Sequence, residues 1–416
     1  MFLFGLKLTP GPVKHNALLA ICILAVILLP SLILSRNRGV VVNSDEILFR
    51  KHAIDLGSLS ESCAVVDVNR DGRLDIVSSE NWYEQGAAVK GKKGISWTKH
   101  RFRKVGYNSF YVENLIDIGM DVDGDGLTDI VSSSYWSKFF TWWRHPEREN
   151  GEWRESVIAS HSPVEFVFAV DILGTGKPLQ LLPQFGNSKA PLAWYELVGK
   201  GSEAKWVDHE VSPQSDGHGI GAGDINGDGR TDIITPKGWF EAPVDRRKEK
   251  WTFHPEFELG ATGFIFAVDI NGYKLPDVLT SLGHDYGIFW LEQQKAATGE
   301  RSWTKHMIDN SWSQAHAMTL IDLNGDGQPE IVTGKRYMAH NGRDPGEREP
   351  LGVYWYEWLT VNGRLEWKKH IIDYSSRAGG GMQIPVIDID GDGDLDIVTA
   401  GKSGLFLFEQ TQNPDE

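Results

Sequence analysis

Short apolar runs rich in Val and Ile punctuate this chain, each opened by an acidic residue: Asp75-Ile76-Val77, Asp129-Ile130-Val131, Asp232-Ile233-Ile234, Glu330-Ile331-Val332 and Asp396-Ile397-Val398. Runs of this length and composition predict buried strands. Two aromatic patterns accompany them. A pair of aromatics followed by Glu marks a strand at Trp82-Tyr83-Glu84, Trp194-Tyr195-Glu196, Trp239-Phe240-Glu241 and Trp355-Tyr356-Glu357. An aromatic three residues before a His marks another at Phe49–His52, Trp97–His100, Trp206–His209, Trp251–His254, Trp303–His306 and Trp367–His370. Altered copies at Trp142-Trp143-Arg144, Trp290-Leu291-Glu292, Leu407-Phe408-Glu409 and Trp153–Ser156 bring each phrase to seven. The unit repeats about every fifty residues, which implies an array of one supersecondary element. Four short strands at that period is the signature of a propeller blade.

The expected fold is therefore all-β, a seven-bladed propeller over 47–410 with a short tail at 411–416. The first aromatic-x-x-His strand, Phe49 to Ile54, has no strand before it. It should return to the last blade beside Leu405 to Glu409 and close the ring, removing open sheet edges. The histidines of this phrase repeat with the blade, so they should be structural hydrogen-bonders.

The N-terminus departs from the pattern. After a tail at 1–16, residues 17–35 carry no charge over nineteen positions, about the length that crosses a bilayer as a helix. They predict an N-terminal transmembrane anchor that is not removed, with a cleaved leader as the alternative, and 36–46 as a linker. Cys22 lies in this segment and Cys63 in the first blade, so no intrachain disulfide is expected.

Between the first two strands of each unit sits an acidic nine-residue loop. Five copies are complete: Asp67, Asn69, Asp71 and Asp75; Asp121, Asp123, Asp125 and Asp129; Asp224, Asn226, Asp228 and Asp232; Asp322, Asn324, Asp326 and Glu330; Asp388, Asp390, Asp392 and Asp396. Oxygen donors at positions one, three, five and nine, with Gly at six for a sharp turn, are hard-cation chemistry. They predict about five structural Ca²⁺ sites. The copies 171–179 and 269–277 are degraded, with Leu173, Thr175, Leu179, Tyr273 and Lys274 at key positions. Loops of this kind bind calcium weakly, on the order of 10⁻⁴ to 10⁻³ M, which places the propeller in the periplasm or extracellular space. Carboxylates of the five loops account for most of the net charge of −15. No basic stripe exists to neutralise phosphates, so nucleic acid is excluded as a partner. This acidic loop between strands, seven times repeated, resembles the FG-GAP/VCBS repeats of integrin-α-like propellers. The resemblance implies the fold and structural calcium; propellers of that kind serve adhesion, sugar binding and lyase chemistry alike.

Residues that break the repeat are the candidates for function. Glu61, Glu165, His218 and His316 each stand six residues before a loop. Asn81, Lys237, His284, Lys335, Arg336, Tyr337 and Lys402 stand about fourteen after a loop's first Asp. Strand geometry sends both groups to the face opposite calcium. A long insertion, 336–346, which holds His340, should hang over the same face, and Gly379-Gly380-Gly381 beside it should let backbone approach a ligand. His218, His284 and His316 suit a transition metal on the axis. Residues 217–243 and 315–346 look like the propeller part of aldos-2-ulose dehydratase-type proteins. That resemblance implies elimination from a keto-sugar: His218 or His316 as base, Tyr337 as acid, and Lys237, Arg336 and Lys402 as electrostatic stabilisers. The rival expectation is a non-catalytic adhesion module for a glycan or an extracellular protein, with Tyr135, Trp136 and Trp312 as stacking platforms.

Overall fold

The computed structural model describes residues 46–411 except 88–93, 109–110, 138–139, 148–150, 162 and 187–188. The expected membrane anchor at 17–35 lies outside the described residues. Among those described, no helix is long and apolar enough to cross a membrane.

The described chain is a β-propeller. Five separate four-stranded sheets are present, and the remaining propeller strands form one eight-stranded sheet. A small hairpin, Tyr107–Asn108 with Tyr111–Val112, stands apart from them. The eight-stranded sheet consists of two antiparallel meanders, Ile220–Gly223 through Thr252–His254 and Phe264–Val268 through Arg301–Ser313. They join edge to edge, where Ile220–Gly223 pairs in parallel with Phe264–Val268.

Each apolar run forms a second strand that is buried along its whole length, as in Asp75–Ser78, Glu330–Gly334 and Asp396–Gly401. Neighbouring sheets cover both of its faces, so β-branched residues occur without polar alternation. Ile76, Ile130, Ile233, Ile331 and Ile397 are all 0% exposed, each burial stabilising the fold by roughly 1.5–3 kcal/mol. The aromatic-x-x-His strands lie outermost and alternate with solvent, as Arg301–Ser313 does.

The repeated histidines meet the expectation. The Nε2 of each hydrogen-bonds the Glu of the neighbouring strand: His100 to Glu84 at 2.8 Å, His209 to Glu196 at 3.0 Å, His254 to Glu241 at 2.9 Å and His370 to Glu357 at 2.8 Å. Five of the six rings, all but His52, also stack on the Trp of that strand, His370 on Trp355 at 3.7 Å between centroids and His254 on Trp239 at 4.1 Å. Closure also follows the expected route. Leu48–Asp55 pairs antiparallel with Gly404–Thr411, His52 opposite Leu407, and His52 reaches Glu409 at 2.5 Å.

Candidate functional site

The acidic loops lie at the turns between first and second strands. Position nine is a staple: Asp75 is buried and accepts the backbone N–H of Val68 and of Gln85, each at 2.9 Å. Asp232 holds Ile225 and Ala242 in the same way, and Asp396 holds Ile389 and Gln410. Burial raises these carboxyls, Asp75 to about 6 and both Asp232 and Asp396 to about 7. In the degraded loop at 171–179 the staple is Gln180, whose Oε1 accepts from Ile172 at 2.8 Å. That loop is one residue longer than its siblings, which is why Leu179 falls at the ligand position in the sequence.

Two of the five complete loops gather three carboxylates within 4.8 Å of one another: Asp121, Asp123 and Asp129, and Asp388, Asp390 and Asp396. Arginine competes in three. Arg73 pairs with Asp71, Arg230 with Asp228 and Arg144 with Asp123.

On the opposite face the strand starts converge as expected. Glu165, His218, His284 and His316 bring one donor atom each within 4.8 Å of the others. The Nε2 atoms of His218 and His284 face each other at 2.9 Å, and His218 Nε2 also lies 3.1 Å from Glu165 Oε2. Outer partners set the ring orientations: His218 Nδ1 donates to Thr262 O at 2.6 Å, and His284 Nδ1 to Asp344 Oδ2 at 2.9 Å. Both rings therefore turn Nε2 inward. His316 is 0% exposed, and neither ring nitrogen has a hydrogen-bond partner. It stacks on Phe166 and meets His284 edge-on at 4.7 Å. Gly283 leaves room for this cluster, since a Cβ there would sit 3.2 Å from His316 Nε2 and 3.1 Å from His218 Cε1.

Electrostatics separate the four groups. Burial lowers His316 well below an ordinary imidazole, and Arg336 lowers it further. Burial and the neighbouring His218 bring His284 down to about 4. Burial also opposes charge on His218, but Glu165 more than offsets it and raises the ring. Burial disfavours ionised Glu165 too, yet His218 and Arg336 hold it far below the carboxylate range.

Arg336 anchors the centre rather than facing a ligand. Its Nε and Nη2 grip Glu61 at 2.7 and 3.0 Å, and its Nη1 reaches Glu165 at 3.2 Å. Lys402 donates to Met338 O at 2.8 Å and covers the Tyr111 ring at 3.9 Å, tethering the insertion. Burial lowers its ammonium. Above the cluster lies a cavity of about 400 Å³ lined by Tyr111, Leu115, Tyr135, Trp136, Glu165, Arg336, His340, Asn341, Arg343 and Asp344. The hairpin supplies Tyr111, and its neighbour Glu113 accepts the N–H groups of Trp136 and Ser137 at 2.9 and 2.7 Å. His340 Nδ1 donates to Asp344 Oδ2 at 2.8 Å, and its ring stacks on His284 at 4.3 Å.

Four expectations land elsewhere. Lys237 and Tyr337 are exposed and line neither the cavity nor the histidine cluster. Trp312 is no platform: it is 6% exposed, and its indole N–H donates to Tyr356 Oη at 2.8 Å. Gly380 serves blade contact, since a Cβ there would lie 2.5 Å from Gly334 O. His340 stands with His218, His284 and His316 among the histidines that do not repeat, whereas Asp344 was visible only as a member of the long insertion, four residues after His340.

No protein-family profile matches the chain, and no curated protein matches it. A solved structure described as BBS1N in complex with ARL6DN, soaked with lead, is similar over 88% of this chain and 98% of that one, at 10% identity and a TM-score of 0.47. The chain is a β-propeller by its own strand order, a fold that fits a ligand-binding module.

Proposed function

We propose that this chain is an extracytoplasmic propeller, membrane-anchored through 17–35, that binds a carbohydrate above a divalent transition metal and eliminates water or an alcohol from it. The observation that carries the reading is His316. Two buried imidazole nitrogens without partners are costly, and three further donors turn toward the same point. Three imidazoles and a carboxylate are the donor set of zinc and its neighbours. Thr262 O and Asp344 supply the outer hydrogen bonds that such ligands use to fix their tautomers.

When bound, the metal would supply Lewis-acid polarisation of a ligand oxygen. The other roles belong to the protein. Tyr111, Tyr135 and Trp136 offer aromatic faces to a sugar ring. His340, its Nδ1 proton committed to Asp344, keeps a lone pair on Nε2 to accept a proton. In this reading His218 and His316 are ligands, since His316 is sealed from the cavity. Arg336 keeps Glu165 ionised, and Tyr337 and Lys237 have no part.

The two meanders of the eight-stranded sheet count as two blades, which makes seven with the five separate sheets. Structural calcium occupies the acidic loops, best at Asp388, Asp390, Asp392 and Asp396, where three carboxylates already gather and no arginine competes.

The test titrates the chelator-stripped full chain with Zn²⁺ and Co²⁺ by calorimetry, then supplies a panel of keto-sugars and uronates while recording ultraviolet absorbance. One tight site is expected. His316→Ala should abolish it while shifting the melting temperature by only a few degrees. An unchanged metal isotherm in His316→Ala rejects the centre. Sugar retention without an absorbing product leaves a non-catalytic glycan-binding module.

A further inference from the structure

Besides its tyrosines, the cavity wall carries five ionisable groups, and four of them have partners inside the protein. Glu165 is shared between Arg336 and His218. Arg336 also closes on both oxygens of Glu61. Asp344 Oδ2 accepts from His284 and from His340. Arg343 differs. It lines the same cavity, is exposed, and has no ion pair or hydrogen bond among the described residues.

We propose that Arg343 is the receptor for a carboxylate on the ligand, so that the carbohydrate taken by this cavity is a uronic-acid sugar. The inference rests on the carbohydrate reading above and narrows it. A guanidinium presents two parallel N–H donors that match a carboxylate, which makes it more selective than a bare charge. The chain as a whole has a net charge of −15 and repels anions at long range. An acidic ligand therefore needs an uncommitted local cation at the mouth of its site. Tyr111, Tyr135 and Trp136 line the same cavity, and a pyranose needs apolar ring faces as well as a charge.

The same placement suits the chemistry. Neutralising the carboxylate acidifies the hydrogen on the adjacent carbon. His340 Nε2 accepts that proton, and the electron pair left on carbon forms a carbon–carbon double bond to the next carbon as the C–O bond there breaks and its oxygen departs as an alcohol. The departing oxygen takes a proton from solvent while His340 returns its own, so no oxidant or reductant is required. The product is an unsaturated uronate, which absorbs in the ultraviolet.

Calorimetry on the full chain with an oligogalacturonide and an oligoglucuronide, each beside its carboxyl-reduced form, tests this directly. Expected are binding of at least one acidic probe, tenfold or weaker binding of its reduced form, and a marked loss of affinity with added salt. Arg343→Ala should weaken the acidic probe about tenfold or more and leave the reduced one unchanged; Arg343→Lys should recover part of the loss. The side chain is exposed, so neither variant should alter folding, which a melting curve checks. Equal binding of acidic and reduced probes, unaffected by Arg343→Ala, overturns the carboxylate assignment and leaves the carbohydrate reading intact. Binding of no saccharide in either form overturns both, and the Zn²⁺ titration of the same sample reports on the metal centre independently.

Discussion

Glu61, Arg336 and Glu165 form a buried ionic group on the cavity face, and their energetics are those of an enclosed triad. Arg336 is 2% exposed and Glu61 3%. Neither charge can recover water if its partner is lost, so breaking the triad should cost far more than the contact itself is worth. Glu61→Gln is expected to destabilise the protein by about 3–5 kcal/mol, read as a fall in the denaturant midpoint with little change in slope. His306→Ala makes a useful contrast. His306 bonds Glu292 at 3.0 Å and stacks on Trp290, but its side chain is 40% exposed. Its loss should cost about 1 kcal/mol and leave metal binding untouched. Residues of the triad and the histidine cluster were legible because they break a seven-fold rule at a fixed offset from the acidic loops. His340 was legible as a histidine outside the repeat, but Asp344 was not, since an irregular loop has no period from which to read direction. Lys237 failed for a related reason: it stands at the turn where the strand has already left the face, two residues beyond Thr235, whose hydroxyl donates to Gly238 O and turns the chain back.

At the scale of elements, closure by Leu48–Asp55 is the feature with the largest leverage. That strand supplies the outer edge of a sheet whose other strands lie at the far end of the chain. Its side chains reach further still, Lys51 Nζ donating to Asp373 Oδ2 at 3.1 Å and to Ser376 O at 2.7 Å. Removing residues 46–56 is expected to lower stability by several kcal/mol, because a full ladder of backbone hydrogen bonds and its packing go together. A truncated chain that melts like the parent would contradict the closure. The period of the sequence made this strand legible, for an unpaired copy of a repeated phrase has only one place to go. The hairpin at Tyr107–Val112 was illegible. It is an insertion without repetition, and only its packing against the cavity discloses what it does.

For the whole molecule, the distribution of charge divides the two faces. One carries the acidic loops, each complete one with its ninth-position carboxyl raised by burial; the other carries Arg336 locked onto buried glutamates. Calcium on the first face would relieve the repulsion within each loop. At a concentration tenfold above Kd, each site adds about 1.4 kcal/mol. Chelation should then lower the melting temperature, and mass spectrometry should count about five ions on the replenished chain. Asp388→Ala should remove one ion and Asp269→Ala none, since the loop of Asp269 has Tyr273 in place of the central acid. A count near zero in millimolar calcium would overturn the assignment. Periodicity in the sequence disclosed the acidic loops and the strand grammar together. It did not disclose how two neighbouring sheets fuse, because that depends on the distance between backbones.

That fusion has a mechanical consequence. Where Ile220–Gly223 runs beside Phe264–Val268, the two backbones approach so closely that a Cβ at Gly221 would lie 1.8 Å from Ile265 O. Elsewhere among the described residues only isolated main-chain hydrogen bonds join neighbouring blades, such as Gly380 N to Lys335 O at 3.0 Å and Met382 N to Glu61 O at 2.6 Å, and side chains supply the rest. Here main-chain hydrogen bonds stitch two sheets into one body, and the residues just ahead of the stitch, His218 and Thr262, belong to the axial cluster. A ring pulled or heated toward opening should therefore part at another seam, and the last portion to come undone should be the arc that carries the histidines.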